Sequence, residues 1–176
     1  MKRLLPWLAL IVLAATCAAQ KPAPPAAPAK PVGVLAWLVG GIWTADTSAM
    51  GQGMQRIETR YAWSDNGSFL RFNTHFVFDK GTARTYDGNL FWDPARKTLA
   101  IWYMNPDNEI VEGPMQVEGD NWTVSFRATD PEGKLADLRA EITRKSPDSY
   151  HWLVREKSGD LWKEIMALDY RRLPGS

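Results

Sequence analysis

Residues 70–78 read LRFNTHFVF: Leu70, Phe72, Phe76 and Phe78 fall on one side with Thr74, and Arg71, Asn73 and His75 fall on the other. Alternation with a period of two is the pattern of a strand with one buried and one wetted face. It returns at 121–127, where Trp122, Val124 and Phe126 oppose Asn121, Thr123, Ser125 and Arg127. An earlier segment carries Ile57, Tyr61 and Trp63 on one face and Arg56, Glu58 and Arg60 on the solvent side, and a later one groups Tyr86, Leu90 and Trp92.

Compact turn signals separate these segments: Asn66-Gly67, Lys80-Gly81, and residues 94–96, 106–108, 119–121, 130–133, 146–148 and 158–160. Glycine and asparagine supply positive φ at such places, and proline fixes the first corner. The turns delimit ten strand candidates, near 42–48, 54–65, 68–79, 82–93, 97–104, 109–118, 122–129, 134–145, 149–157 and 161–172. The fifth and ninth are apolar on both faces, which leaves their sidedness open. Most links are too short for a crossover helix, so successive strands pair as hairpins in an antiparallel meander. Such a meander packs as a sandwich with exposed edges or closes on itself. Closure removes the edges, and the expected fold is all-β, a ten-stranded antiparallel up-and-down barrel. Residues 34–39, VLAWLV, are apolar on all sides and end at Gly40-Gly41, which reads as a short helical turn plugging one end.

Ahead of this domain, Lys2 and Arg3 precede an apolar run over 4–15 that is too short for a mature membrane helix, the pattern of a secretory signal peptide. Residues 1–19 are the expected leader, cut after Ala19. Cys17 offers a second reading, as a lipidated first residue of a lipoprotein. Residues 20–31 form a linker whose KPAPPAAPAKP stretch has five prolines and no β-branched or aromatic side chain, so it favours extended polyproline conformations. The folded domain is then 32–176, expected to be secreted or periplasmic. Its length allows one core burying roughly two-thirds of the unfolded surface. Cys17 is the single cysteine, so the domain has no disulfide.

The 21 basic residues nearly balance the 20 acidic ones, which argues against a polyanion partner such as nucleic acid. Nine tryptophans stand against two histidines and one cysteine, so large flat side chains are plentiful and the usual catalytic groups scarce. There is no H-E-x-x-H, no G-x-S-x-G and no phosphate-cradling glycine loop. Among the strand carboxylates Glu58, Asp87, Glu112, Glu141 and Glu164, only Glu164 shares an expected inward face with Trp162 and Met166. It is a candidate general acid or base, or an ion-pair partner of Arg172 or Arg139. The balance favours a protein that is not an enzyme.

Gly41-Ile42-Trp43, just after the apolar turn, resembles the G-x-W opening of the calycin superfamily of lipocalins and fatty-acid-binding proteins. The resemblance implies that a basic residue near the chain's end packs across the first-strand tryptophan. Arg172 fits that part better than Arg171, because it shares an alternation face with Trp162, Met166, Leu168 and Tyr170. A guanidinium over an indole face is a favourable stack. Residues 38–43, Trp92-Asp93-Pro94 and residues 162–172 are also similar to the pattern of secreted bacterial proteins of the DUF1579 type, which have a lipocalin-like fold.

A closed barrel with these inner faces is expected to hold a small hydrophobic or amphipathic ligand. The candidate lining is Trp43, Tyr61, Trp63, Phe72, Phe76, Tyr86, Trp92, Trp102, Trp122 and Trp162, with Arg172 as anchor for an acidic head group. No cofactor is required. One alternative comes from the haem-binding barrels related to nitrobindin, which also open G-x-W; His151 would then be the ligand, although Ala45 and Thr47 stand where that family has glycines. Another is a barrel packed solid by its aromatics, with Trp102 and Trp152 projecting outward as an interaction surface. Trp43, Trp63, Trp92, Trp102, Trp122, Trp152 and Trp162 recur at multiples of about ten residues, which predicts that most share one layer inside the barrel.

Overall fold

The computed structural model describes residues 31–81 and 83–174. The expected signal peptide, the Cys17 lipidation site and residues 20–30 of the expected linker lie outside them. Alternation and turn chemistry yield ten strands: β1 (Ile42–Asp46), β2 (Met54–Trp63), β3 (Leu70–Phe78), β4 (Ala83–Asp93), β5 (Thr98–Met104), β6 (Ile110–Glu118), β7 (Asn121–Thr129), β8 (Leu135–Ser146), β9 (Ser149–Ser158) and β10 (Leu161–Leu173). Every neighbouring pair is antiparallel, and β1 pairs with both β2 and β10, closing an up-and-down barrel without a free edge. Among the described residues no helix is long and apolar enough to cross a membrane.

The apolar segment ahead of β1 forms a 3₁₀ helix, Val32–Leu38, with Val32, Leu35 and Leu38 buried. It plugs the end at which β1 starts and β10 finishes. Trp43 is fully buried there, and its Nε1 donates to the Leu38 carbonyl at 2.7 Å. Gly41 has φ +70°, and a Cβ on it would strike the Leu173 carbonyl oxygen and the Arg172 side chain. The chain crosses from plug to first strand only where a residue without a side chain permits both.

Inner faces follow the alternation wherever the ladder is regular. Ile57, Leu70, Leu90, Trp122, Val124 and Phe126 are buried. The rule breaks in β10, where the register against β9 shifts between Glu164 and Met166. The extra residue, Ile165, reverses the sidedness of everything before it. Trp162 is therefore opposite Lys157 and 42% exposed, and Glu164 is opposite outward-facing Arg155. The expected inward face shared by Trp162, Glu164 and Met166 does not exist.

Candidate functional site

Above the plug the barrel encloses a cavity of about 250 Å³, open at the far end. Its floor includes Leu38 and Trp122, its walls Tyr61, Phe72, Tyr103 and Tyr150, and its mouth Met50, Asn105, Glu109 and Ile165. Gly88 lets two wall residues pack closely: the Phe72 ring and the Tyr103 Cβ occupy the space a Cβ there would need.

The cavity is aromatic with a few polar atoms. Thr59 and Thr74, both buried and paired across β2 and β3, hydrogen-bond through their hydroxyls at 2.9 Å. The indole Nε1 of Trp152 is buried without a hydrogen-bond partner, on a residue that lines the cavity. A buried donor left unpaired is costly. Burial pushes the Tyr61 phenol up to about 12, and the Tyr103 and Tyr150 phenols also rise, because a phenolate cannot be solvated here. The hydroxyls stay neutral.

At the mouth the 105–109 loop is built around Asn105. Its side-chain oxygen accepts from the Asp107 and Glu109 backbone N–H groups at 3.0 and 2.9 Å, while its amide donates to Glu109 Oε2 at 2.8 Å. This places the Glu109 carboxylate on the cavity rim. Among the described residues it is the one charged side chain in the lining.

Of the residues expected to line a pocket, Tyr61, Phe72, Phe76, Tyr86 and Trp122 meet around the cavity. The others do not reach it. Trp43 lies in the closed end, in edge contact with Trp37 at 5.3 Å between ring centres and 4.9 Å from Tyr150. Trp63 packs against the core below the cavity. Trp92 has Leu90's sidedness but sits at the end of β4, 36% exposed. Trp102 pairs with Asn89 and Glu112 on the outer face, because Leu99, Ile101 and Tyr103 take the inner one. Trp162 is outside through the bulge. The single inner layer of tryptophans is thus replaced by three groups: closed end, cavity and exterior.

Arg172 is not placed to anchor a head group. Its guanidinium lies over Trp43 and donates to the carbonyls of Val39 at 2.9 Å, Gly40 at 3.3 Å, Pro147 at 3.1 Å and Trp37. Asp148 pairs with its Nε at 3.1 Å. Every arm of the fork is committed to the closed end. Both histidines point away from the cavity: His151 Nδ1 bonds Asp169 Oδ1 at 2.8 Å outside, and His75 is paired with Glu58 and Thr85 on the outer face. The residues present do not fit a histidine-ligated haem inside the barrel.

Several contributors were not among the expected lining: Thr59, Thr74, Tyr103, Glu109, Tyr150 and Trp152. Tyr103, Tyr150 and Trp152 belong to the two strands that are apolar on both faces, where alternation gives no side. Trp152, which the alternative of a packed barrel turned outward, faces in. Glu109, at the start of the expected 109–118 strand, precedes β6 in a loop, and the Asn105 turn is the one local signal.

No family model and no curated protein matches the chain. Among solved structures it is similar to Rv2717c from M. tuberculosis, with a TM-score of 0.55 and 16% identity over 82% of this chain and 98% of that one. At that identity the likeness is one of fold, a barrel of the same general kind.

Proposed function

We propose that the protein is a non-enzymatic binder of a small hydrophobic or amphipathic molecule, a calycin-type barrel working outside the cytoplasm. The observation that carries this reading is the apolar cavity of about 250 Å³, open at one end and closed at the other by the Val32–Leu38 plug. Comparable apolar cavities of about 150 Å³ take benzene, so this one suits a body of about one to two rings or a chain of about eight carbons. Long-chain lipids and haem exceed it. The exposed and half-buried outer tryptophans, Trp162 on β10 and Trp102 on β5, lie on opposite sides of the closed ring and build no common docking patch.

Trp122 and Trp152 line the cavity and report on it. Titration with short alcohols, ketones and aromatic hydrocarbons is expected to quench or shift their fluorescence saturably. A flat response to all of them, with no change in NMR shifts of the lining tyrosines, would remove the binding hypothesis.

A further inference from the structure

We infer that the cavity selects a small apolar amine, binding its ammonium group at the Glu109 carboxylate and discriminating against carboxylic acids of the same size. This deepens the binding reading above and rests on it. The lining holds no Lys, Arg or His among the described residues, and its one charge is negative. The two arginines of the closed end are occupied, Arg172 as described and Arg144 stacked 4.8 Å over Trp37. Arg84, near the mouth, is paired with Asp107. A carboxylate ligand would therefore enter an anion-averse space without a counter-charge.

Glu109 is well placed for the opposite charge. The Asn105 amide holds one carboxylate oxygen, and among the described residues Glu109 enters no ion pair, so the other oxygen is available to an N–H donor. Its charge is felt at the inner wall: behind burial and Tyr86 it helps to raise the Tyr103 phenol, and at Tyr86 it acts in the same sense behind burial and the larger, opposing effect of Arg84. The field that disfavours those phenolates favours an ammonium. The apolar body then extends inward over Tyr103 and Phe72 toward the floor.

A matched set with one chain length decides the matter: octylamine, octanol and octanoate, titrated into the intact protein and read by tryptophan fluorescence and calorimetry. Octylamine is expected to bind about tenfold or more tighter than octanoate, with octanol between, in line with a charge-assisted hydrogen bond. Glu109→Gln is expected to erase the advantage of octylamine over octanol. Should that variant misfold, raising salt on the unmodified protein gives the same reading, weakening octylamine alone. Octanoate binding as tightly as octylamine overturns the amine selectivity while the cavity reading stands; silence with all three overturns both.

Discussion

Arg172 lies over the indole of Trp43 with its guanidinium carbon 4.5 Å from the ring centre, and the two residues are direct partners across β10 and β1. One contact therefore joins the last strand to the first at the point where the barrel closes. The same guanidinium also holds the plug, through the carbonyls of Trp37, Val39 and Gly40.

Arg172→Ala is expected to cost about 2–4 kcal/mol, since it removes a partly buried cation–π contact and several charged hydrogen bonds at once. Arg172→Lys keeps the charge but lacks the planar fork, and should recover only part of the loss. Urea unfolding measures both. A loss below about 0.5 kcal/mol for alanine, the level of an ordinary surface change, would show that the clasp is ornamental.

The inside and outside tryptophans separate spectroscopically. Trp122→Phe and Trp152→Phe should each diminish the fluorescence response to bound ligand, whereas Trp102→Phe and Trp162→Phe should leave it intact. Iodide quenching of the free protein should fall most in Trp162→Phe, the most exposed of these rings. The reverse pattern would contradict the bulge at Ile165.

The buried hydroxyl pair of Thr59 and Thr74 makes a double-mutant cycle informative. Either Thr→Val change alone strands one hydroxyl and should cost about 1–2 kcal/mol, while the double change removes both partners and should cost less than the sum. Strict additivity in chemical denaturation would mean that the two hydroxyls do not share a bond.

Alkaline pH should unfold the barrel through its tyrosines. Burial raises the phenols of Tyr61, Tyr103, Tyr150 and Tyr170 above their ordinary value of 10.0. Their stabilising contribution is complete below that value. Above it the unfolded chain releases protons that the folded chain retains, so stability falls by up to about 1.4 kcal/mol per pH unit for each such group. For Tyr61 the fall runs from 10.0 to about 12. Denaturation curves from neutral to strongly alkaline pH, with phenolate absorbance followed in parallel, test this. Phenolate formation at the ordinary pH in a still-folded protein would contradict the burial of these rings.

Much of the fold was legible in the residue pattern, because the information is local. Alternation in 70–78 and 121–127, together with short Gly, Asn and Pro turns, placed ten strands within about two residues of their ends. The meander followed from the shortness of the links, and closure was expected because it leaves no exposed edge. The pairing of Trp43 with Arg172, implied by resemblance to calycins, is present in the geometry.

The site was less legible, and each departure has a physical cause. Ile165 occupies a bulge, and a bulge depends on how β10 meets β9, so no pattern within β10 announces that Trp162 and Glu164 turn outward. On β5 and β9 both faces are apolar, so only the direction of the neighbouring strands places Tyr103, Tyr150 and Trp152 inside and Trp102 outside. The cavity is a remainder, the space left between rings on facing strands, with Ala140 and the threonine pair in its lining. Alternation along one strand assigns side chains to a face. Whether that face meets a packed core, an open pocket or a plug depends on residues far apart in the chain, and the packing of all ten strands settles it.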